Sequence, residues 1–314
     1  MMRLIIDTDA GVDDAQAIMM ALAAPGVTVE AITTLSGNIH VDKVVRNVLT
    51  VLEVMGAQVP VFRGAESALL NTMPPEEAHV HGDDGMGDWP ERPPVRGQVE
   101  REHAAQALVR LINQYPGEMT LIALGPLTNL ALALKLDPEL PAKVQRFVFM
   151  GGAINAHGNT MMVTAEWNIF CDPEAAALVI ASFPDSAMVS WEATVWNPLS
   201  WPVYEELCAA STAAGRMFSG ITAKTRDFAE HLVPRLPGYL IPDPLAMAVV
   251  LEPNLALESF RHYTVVELTG QYTRGQTVID YMDRLGQPAN VLHVTKLDMD
   301  GVANLYRRAI YHNA

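Results

Sequence analysis

The sequence predicts an α/β protein: a Rossmann-like open sheet, mostly parallel, with flanking helices and a mostly helical insertion capping the site. Three observations carry that expectation. Apolar runs of strand length alternate with helix-patterned stretches through the first two-thirds of the 314 residues. The strand candidates are apolar almost throughout, as strands covered on both faces are. Four carboxylates crowd into the turn after the first run, and open α/β sheets bind ligands outside the carboxyl ends of their strands.

In chain order, strand-like runs fall at 3–6, 27–34, 60–62, 119–124, 144–150 and 187–191. Helix-like runs lie between them at 13–24, 41–55, 101–114, 127–136 and 173–182. Pro173 suits the first position of its helix, where a missing N–H costs nothing. Two stretches interrupt the rhythm. Residues 64–98 are rich in Gly, Pro and His and contain His79-Val80-His81-Gly82-Asp83-Asp84-Gly85-Met86-Gly87. Long irregular loops of this kind in compact domains are usually functional or disordered. Residues 196–240 are helical in pattern but dotted with Pro, Gly and Trp, and are the candidate cap. A helix is expected from Asp243 to about 251, then strands at 262–268, 277–282 and 291–297, and a last helix near 302–310. There is no repeat or low-complexity linker, so 1–314 reads as one domain with insertions near 64–98 and 196–240.

Half of the residues are apolar, enough for a large core. The formal charge of −15, from 36 acids and 21 bases, argues against nucleic-acid or anionic-membrane partners. It suits a neutral or cationic small substrate. Cys171 and Cys208 are the only cysteines, so no disulfide framework is implied. No apolar run reaches membrane-spanning length and no leader pattern precedes the first strand, which makes a cytoplasmic location the expectation.

The acidic turn reads Asp7-Thr8-Asp9-Ala10-Gly11-Val12-Asp13-Asp14. Carboxylates this close repel unless something positive sits among them, and a hard divalent cation such as Ca²⁺ or Mg²⁺ prefers oxygen ligands. Helix capping by Asp13 and Asp14 accounts for one or two of the acids, not four. An EF-hand needs a glycine at its sixth position and a helix in front, and neither is present. A phosphatase with Asp7 as nucleophile and Asp9 as acid is the other chemical alternative, though it leaves Gly11 and Asp13-Asp14 unused.

The ends of the later strands supply further polar groups: Ser36-Gly37-Asn38, Gly125-Pro126-Leu127-Thr128-Asn129, Gly151-Gly152, Gly158-Asn159, Glu166-Trp167-Asn168 and Asp243. Amides and carboxylates at such places can grip several hydroxyls at once, as a sugar requires. Asn38 and Asn129 also fit as turn residues, Asp243 as a helix cap and His81 as a plain loop residue. A zinc site at His79 and His81 lacks a third ligand. Asp298-Met299-Asp300-Gly301 imitates the acidic turn but reads as a helix N-cap.

Together these motifs resemble the nucleoside hydrolases, the inosine–uridine-preferring N-ribohydrolase family. The opening Asp-x-Asp-x-Gly-x-Asp-Asp signature is present in full, and the likeness runs through Gly37-Asn38, His81-Gly82, Gly125-Pro126-Leu127-Thr128-Asn129, Met150-Gly151-Gly152, Glu166-Trp167-Asn168 with Asp172-Pro173, and Asp243-Pro244. The resemblance implies hydrolysis of ribonucleosides to ribose and free base. It implies a Ca²⁺ ligated by Asp9, Asp14, the Leu124 carbonyl and Asp243, with Asp7 behind them. It implies a ribose held by Asp13, Asn38, Asn159, Glu166 and Asn168 beside Met150, and a homodimer or homotetramer. Asp9 is the expected general base and His81 a candidate acid for the leaving group. Two departures stand out. Pro242 and Val195 occupy positions where many members carry histidine, and Trp191, Trp196, Trp89 and Tyr239 are candidates to stack on the base instead. Losing those histidines also admits a nucleoside-binding protein impaired in catalysis.

Overall fold

The computed structural model describes residues 1–70, 74, 76, 78–232 and 237–312. Parts of both expected insertions, at 71–73, 75, 77 and 233–236, therefore lie outside the described residues. Strands β1 (Met2–Thr8), β2 (Val27–Thr34), β3 (Val61–Arg63), β4 (Met119–Ala123), β5 (Val144–Met150) and β6 (Ser186–Val189) form the body of the sheet. Two short ribbons stand apart from it, β7 (Leu199–Ser200) with β8 (Gly238–Tyr239), and β10 (Thr264–Val266) with β11 (Thr277–Ile279). Strands β9 (Ala256–His262) and β12 (Val291–Leu297) complete the sheet. Its order is β3-β2-β1-β4-β5-β6-β12-β9, parallel throughout except for β9.

Period-two alternation along each strand divides the core into two layers. Leu4 and Ile6 of β1 face the layer that includes helices Val12–Ala23, Val41–Met55, Pro242–Leu251 and Met299–Ile310. Ile5 faces the other, with Ala104–Gln114, Thr128–Leu136 and Pro173–Ser182. Burial on both faces is why these strands carry no polar stripe.

The strand order reverses between β1 and β4: β2 and β3 extend to one side, β5 and β6 to the other. That is the switch point at which open sheets leave a crevice. Register brings the strand ends level there, since Asp7 pairs with Thr33 on one side and Ala123 on the other. The acidic turn after β1 and Leu124 after β4 thus emerge side by side.

Several expected elements differ. The strand placed at 187–191 ends at Val189, because the Ser190 hydroxyl accepts the Ala193 N–H at 3.1 Å and starts helix Trp191–Trp196. The strand placed at 262–268 is two strands, β9 and β10, broken at Tyr263. Most β9 side chains are partly or fully exposed, so the edge strand has no continuous apolar signal to read. The helix placed at 101–114 begins at Ala104, with the His103 ring accepting the Ala105 N–H. Asp298 is the N-cap of the last helix, accepting from Asp300 N and Gly301 N, so the second acidic turn is structural.

Candidate active site

A cavity of about 340 Å³ opens at the switch point. Asp13, Asn38, His81, Leu124, Met150, Asn159, Glu166, Asn168 and Asp243 line it, so segments far apart in the chain deliver the expected residues to one place. Asp7, Asp9 and Asp14 lie beneath the surface, fully buried. The candidate cap contributes Thr225, Tyr239 and Leu240 to the wall.

The acidic turn is folded by its own side chains. Thr8 donates to Asp14 Oδ1, and the Gly11 N–H donates to Asp14 Oδ2 at 2.8 Å, closing the turn onto helix Val12–Ala23. Ala10 takes a positive φ of 26, a conformation that non-glycine residues adopt at a cost. Asp9 is held by Asn38, whose backbone N–H donates to Oδ2 at 2.7 Å and whose Nδ2 donates to Oδ1 at 3.2 Å. Gly37 must be glycine for this to close: a Cβ there would stand 2.1 Å from Asp9 Oδ2. Asp7 Oδ1 accepts from Thr33 at 2.6 Å and from Asn129 Nδ2 at 2.8 Å. Asn129 also accepts the Ala65 N–H, so it serves the turn and Asp7 together.

The phosphatase alternative gives Asp13 and Asp14 no part, yet both converge with Asp243 on one point of the site.

One oxygen each of Asp13, Asp14 and Asp243 lie within 4.8 Å of one another. Asp9 adjoins this group through Asp14. The Leu124 carbonyl accepts from Asn168 Nδ2 at 2.7 Å and keeps a second lone pair. Burial drives every one of these acids upward, Asp7 to about 7, Asp13 to about 6, and Asp9, Asp14 and Asp243 also above the usual carboxylate range. Mutual repulsion adds to the rise for Asp9, Asp14 and Asp243. Among the described residues, no lysine or arginine lines the cavity. Asp7 Oδ2 and Asp13 Oδ1 are buried with no hydrogen-bond partner. A set of hard oxygen donors with raised proton affinity and orphaned lone pairs fits a divalent cation.

Glu166 caps helix Trp167–Cys171, accepting from Asn168 N at 2.9 Å, Ile169 N at 3.2 Å and Gly152 N at 2.9 Å. Burial raises it to about 7 in spite of those bonds. The His81 ring accepts the Val12 N–H at Nδ1, 3.2 Å away, which leaves the proton of the neutral ring on Nε2. Burial lowers its pKa to about 4.

Of the four aromatic candidates, Trp191 and Tyr239 reach the cavity wall. Trp196 is half exposed, and Trp89 is packed against Gly220 of helix Ala213–Leu232; neither lines the cavity. Trp167 lines it and stood in the motif Glu166-Trp167-Asn168, but nothing in its spacing marked it as a wall residue. Its buried Nε1 has no hydrogen-bond partner.

Carboxylates, amides and flat aromatic faces around one switch-point cavity define a hydrolase site for a sugar joined to a ring. The comparisons agree. A model of the inosine-uridine preferring nucleoside hydrolases matches residues 4–304. The chain is 37% identical over 301 residues to the non-specific ribonucleoside hydrolase RihC of Salmonella newport, covering 96% of this chain and 94% of that protein. Among solved structures it is similar to an inosine-guanosine nucleoside hydrolase, at a TM-score of 0.91 and 32% identity over 99% of both chains. It is also similar to a purine-preferring ribonucleoside hydrolase from Gardnerella vaginalis, at 0.90 and 30% over 98% of both. The chain belongs to the nucleoside hydrolase family and is an N-ribohydrolase, an enzyme acting on N-glycosyl compounds.

Proposed function

We propose that the enzyme hydrolyses ribonucleosides with Ca²⁺ as its cofactor, held by Asp9, Asp14, the Leu124 carbonyl and Asp243, with Asp7 behind them. The convergence of Asp14 and Asp243 with Asp13 within 4.8 Å supports a cation here; Asp9, outside that cluster but beside Asp14, and the Leu124 carbonyl join the set through the family resemblance. Such a cation, when bound, supplies a Lewis acid that makes water more acidic and a common anchor for vicinal hydroxyls.

Breaking an N-glycosidic bond builds positive charge on the ribose, as in related glycoside cleavages. Asp13 and Glu166 face the cavity and stabilise that charge where it develops. Asn159 Oδ1 is occupied by the Trp167 N–H at 2.9 Å, so its Nδ2 is the group left to donate to a sugar hydroxyl. Asn38 and Asn168 are fixed by their own bonds to Asp9 and to Leu124 and Met150, which keeps the ribose contacts rigid. Asp9 takes the proton of the attacking water as general base. Trp167, Trp191 and Tyr239 offer flat faces to the base. With Pro242 unable to donate, the Nε2–H of the neutral His81 ring is the cavity group left to hydrogen-bond the departing base, which then takes its proton from water.

His81→Ala is accordingly expected to lower kcat by about tenfold or more. Steady-state kinetics on a good substrate check this, and an unchanged kcat removes His81 from the reaction. The function itself is tested by a reducing-sugar assay over purine and pyrimidine ribonucleosides, with and without chelator. Ribose release that chelator abolishes and Ca²⁺ restores supports the reading. Release indifferent to chelator overturns the cofactor, and tight nucleoside binding without release overturns the reaction.

A further inference from the structure

Glu192 is buried beside the cavity residue Trp191, outside the set that meets the sugar or the cation. Its carboxylate gathers backbone N–H groups from a single loop: Ile154 N at 2.6 Å on Oε2, and Asn155 N at 2.7 Å and His157 N at 3.3 Å on Oε1. That loop leaves β5 and leads to Gly158 and Asn159 on the cavity wall. Neighbouring bonds brace the same segment. The Ala153 N–H donates to Thr277 Oγ1 at 2.9 Å, and Tyr281 donates to the Ile154 carbonyl at 3.1 Å. Gly158 is pressed so close to Ala165 that a Cβ would stand 2.2 Å from its carbonyl oxygen. The Asn159 amide is thus placed from two sides, by Trp167 N–H at its own oxygen and by Glu192 at the root of its loop.

We propose that Glu192 is a positioning residue for ribonucleoside binding, acting through loop 153–159 on Asn159. The proposal rests on the assignment of this cavity to ribonucleosides. A carboxylate is the group that suits the task. It offers two acceptor oxygens and no donor to three N–H groups. A glutamine of the same shape keeps one acceptor and turns an NH₂ toward the loop, leaving buried N–H groups unpaired.

The test compares wild type, Glu192→Gln, Glu192→Asp, Asn159→Ala and the Glu192→Gln/Asn159→Ala double variant on inosine. Initial rates give kcat and KM, tryptophan fluorescence gives Kd, and thermal melts report folding. Glu192→Gln is expected to raise KM and Kd about tenfold with kcat within about threefold of wild type. In the Asn159→Ala background the same change is expected to add little, because both remove one interaction. Glu192→Asp, with two acceptor oxygens retained, is expected to recover part of the affinity, and it carries the test if the glutamine variant does not fold. Unchanged KM and Kd, or increases that multiply with those of Asn159→Ala, overturn the proposal. Wild-type inosine binding without ribose release overturns the hydrolytic reading instead, and the Kd comparison still decides the role of Glu192.

Discussion

Asp9→Ala is expected to lower kcat by at least about a thousandfold on any ribonucleoside the enzyme turns over, while the protein stays folded. The loss is large because one side chain serves two ends in the proposed reaction, as cation ligand and as general base. The fold survives for a physical reason. Asp9 is a fully buried acid whose environment, through burial first and then the neighbouring Asp14, disfavours its charge. Removing it relieves that repulsion, which offsets the Asn38 donors left without Asp9. Thermal melts beside kcat and KM distinguish a lost catalyst from a lost fold. Turnover near that of wild type would take Asp9 out of the mechanism.

The second large effect is on stability, and its sign follows from the same acids. Asp7 and Glu166 at about 7 and Asp13 at about 6 bind protons more tightly in the folded chain than in the unfolded one. Their favourable contribution is complete below about pH 4. It is lost as pH rises through 6 and 7. Buried His81 and His293, both lowered to about 4, act in the opposite sense. They cost stability only as pH falls from about 6.5 toward 4. Between pH 6 and 8 the carboxylates therefore decide the outcome. Metal-free enzyme is expected to be less stable at pH 8 than at pH 6, by roughly 1 kcal/mol each for Asp7 and Glu166 and by less for Asp13. Added Ca²⁺ is expected to raise the melting temperature at both values and more at pH 8, where the ligands ionise without displacing protons. Melts in chelator and in Ca²⁺ at the two pH values check this. A chelated protein that melts higher at pH 8, or a melt that Ca²⁺ does not move, would sink the cation assignment.

How far the sequence reached can be traced residue by residue. The strands of the parallel sheet were legible because burial on both faces leaves a short continuous apolar run, as at residues 4–6 of β1 and 147–150 of β5. The edge strand β9 was not, because an exposed strand that pairs on one side need not be apolar, and its sequence Ala-Leu-Glu-Ser-Phe-Arg-His reads as either surface or loop. Ser190 ended a strand early for a local reason, a hydroxyl that satisfies a helix N-terminus, and the apolar Trp191 after it masked the boundary.

The sequence by itself determined the fold class, the family and the residues that gather at the switch point, because an acidic turn, glycines and amides at strand ends are local patterns tied to known backbone positions. Only the tertiary structure decided which acids line the cavity and which lie beneath it. It also decided that Trp167 rather than Trp89 or Trp196 forms the wall, and that Glu192 fastens the loop of Asn159. Those outcomes depend on contacts between segments far apart in the chain, such as Asn129 with Asp7 and Glu192 with Ile154. Spacing along the chain carries no record of such distances; the packing of helices on both faces of the sheet sets them.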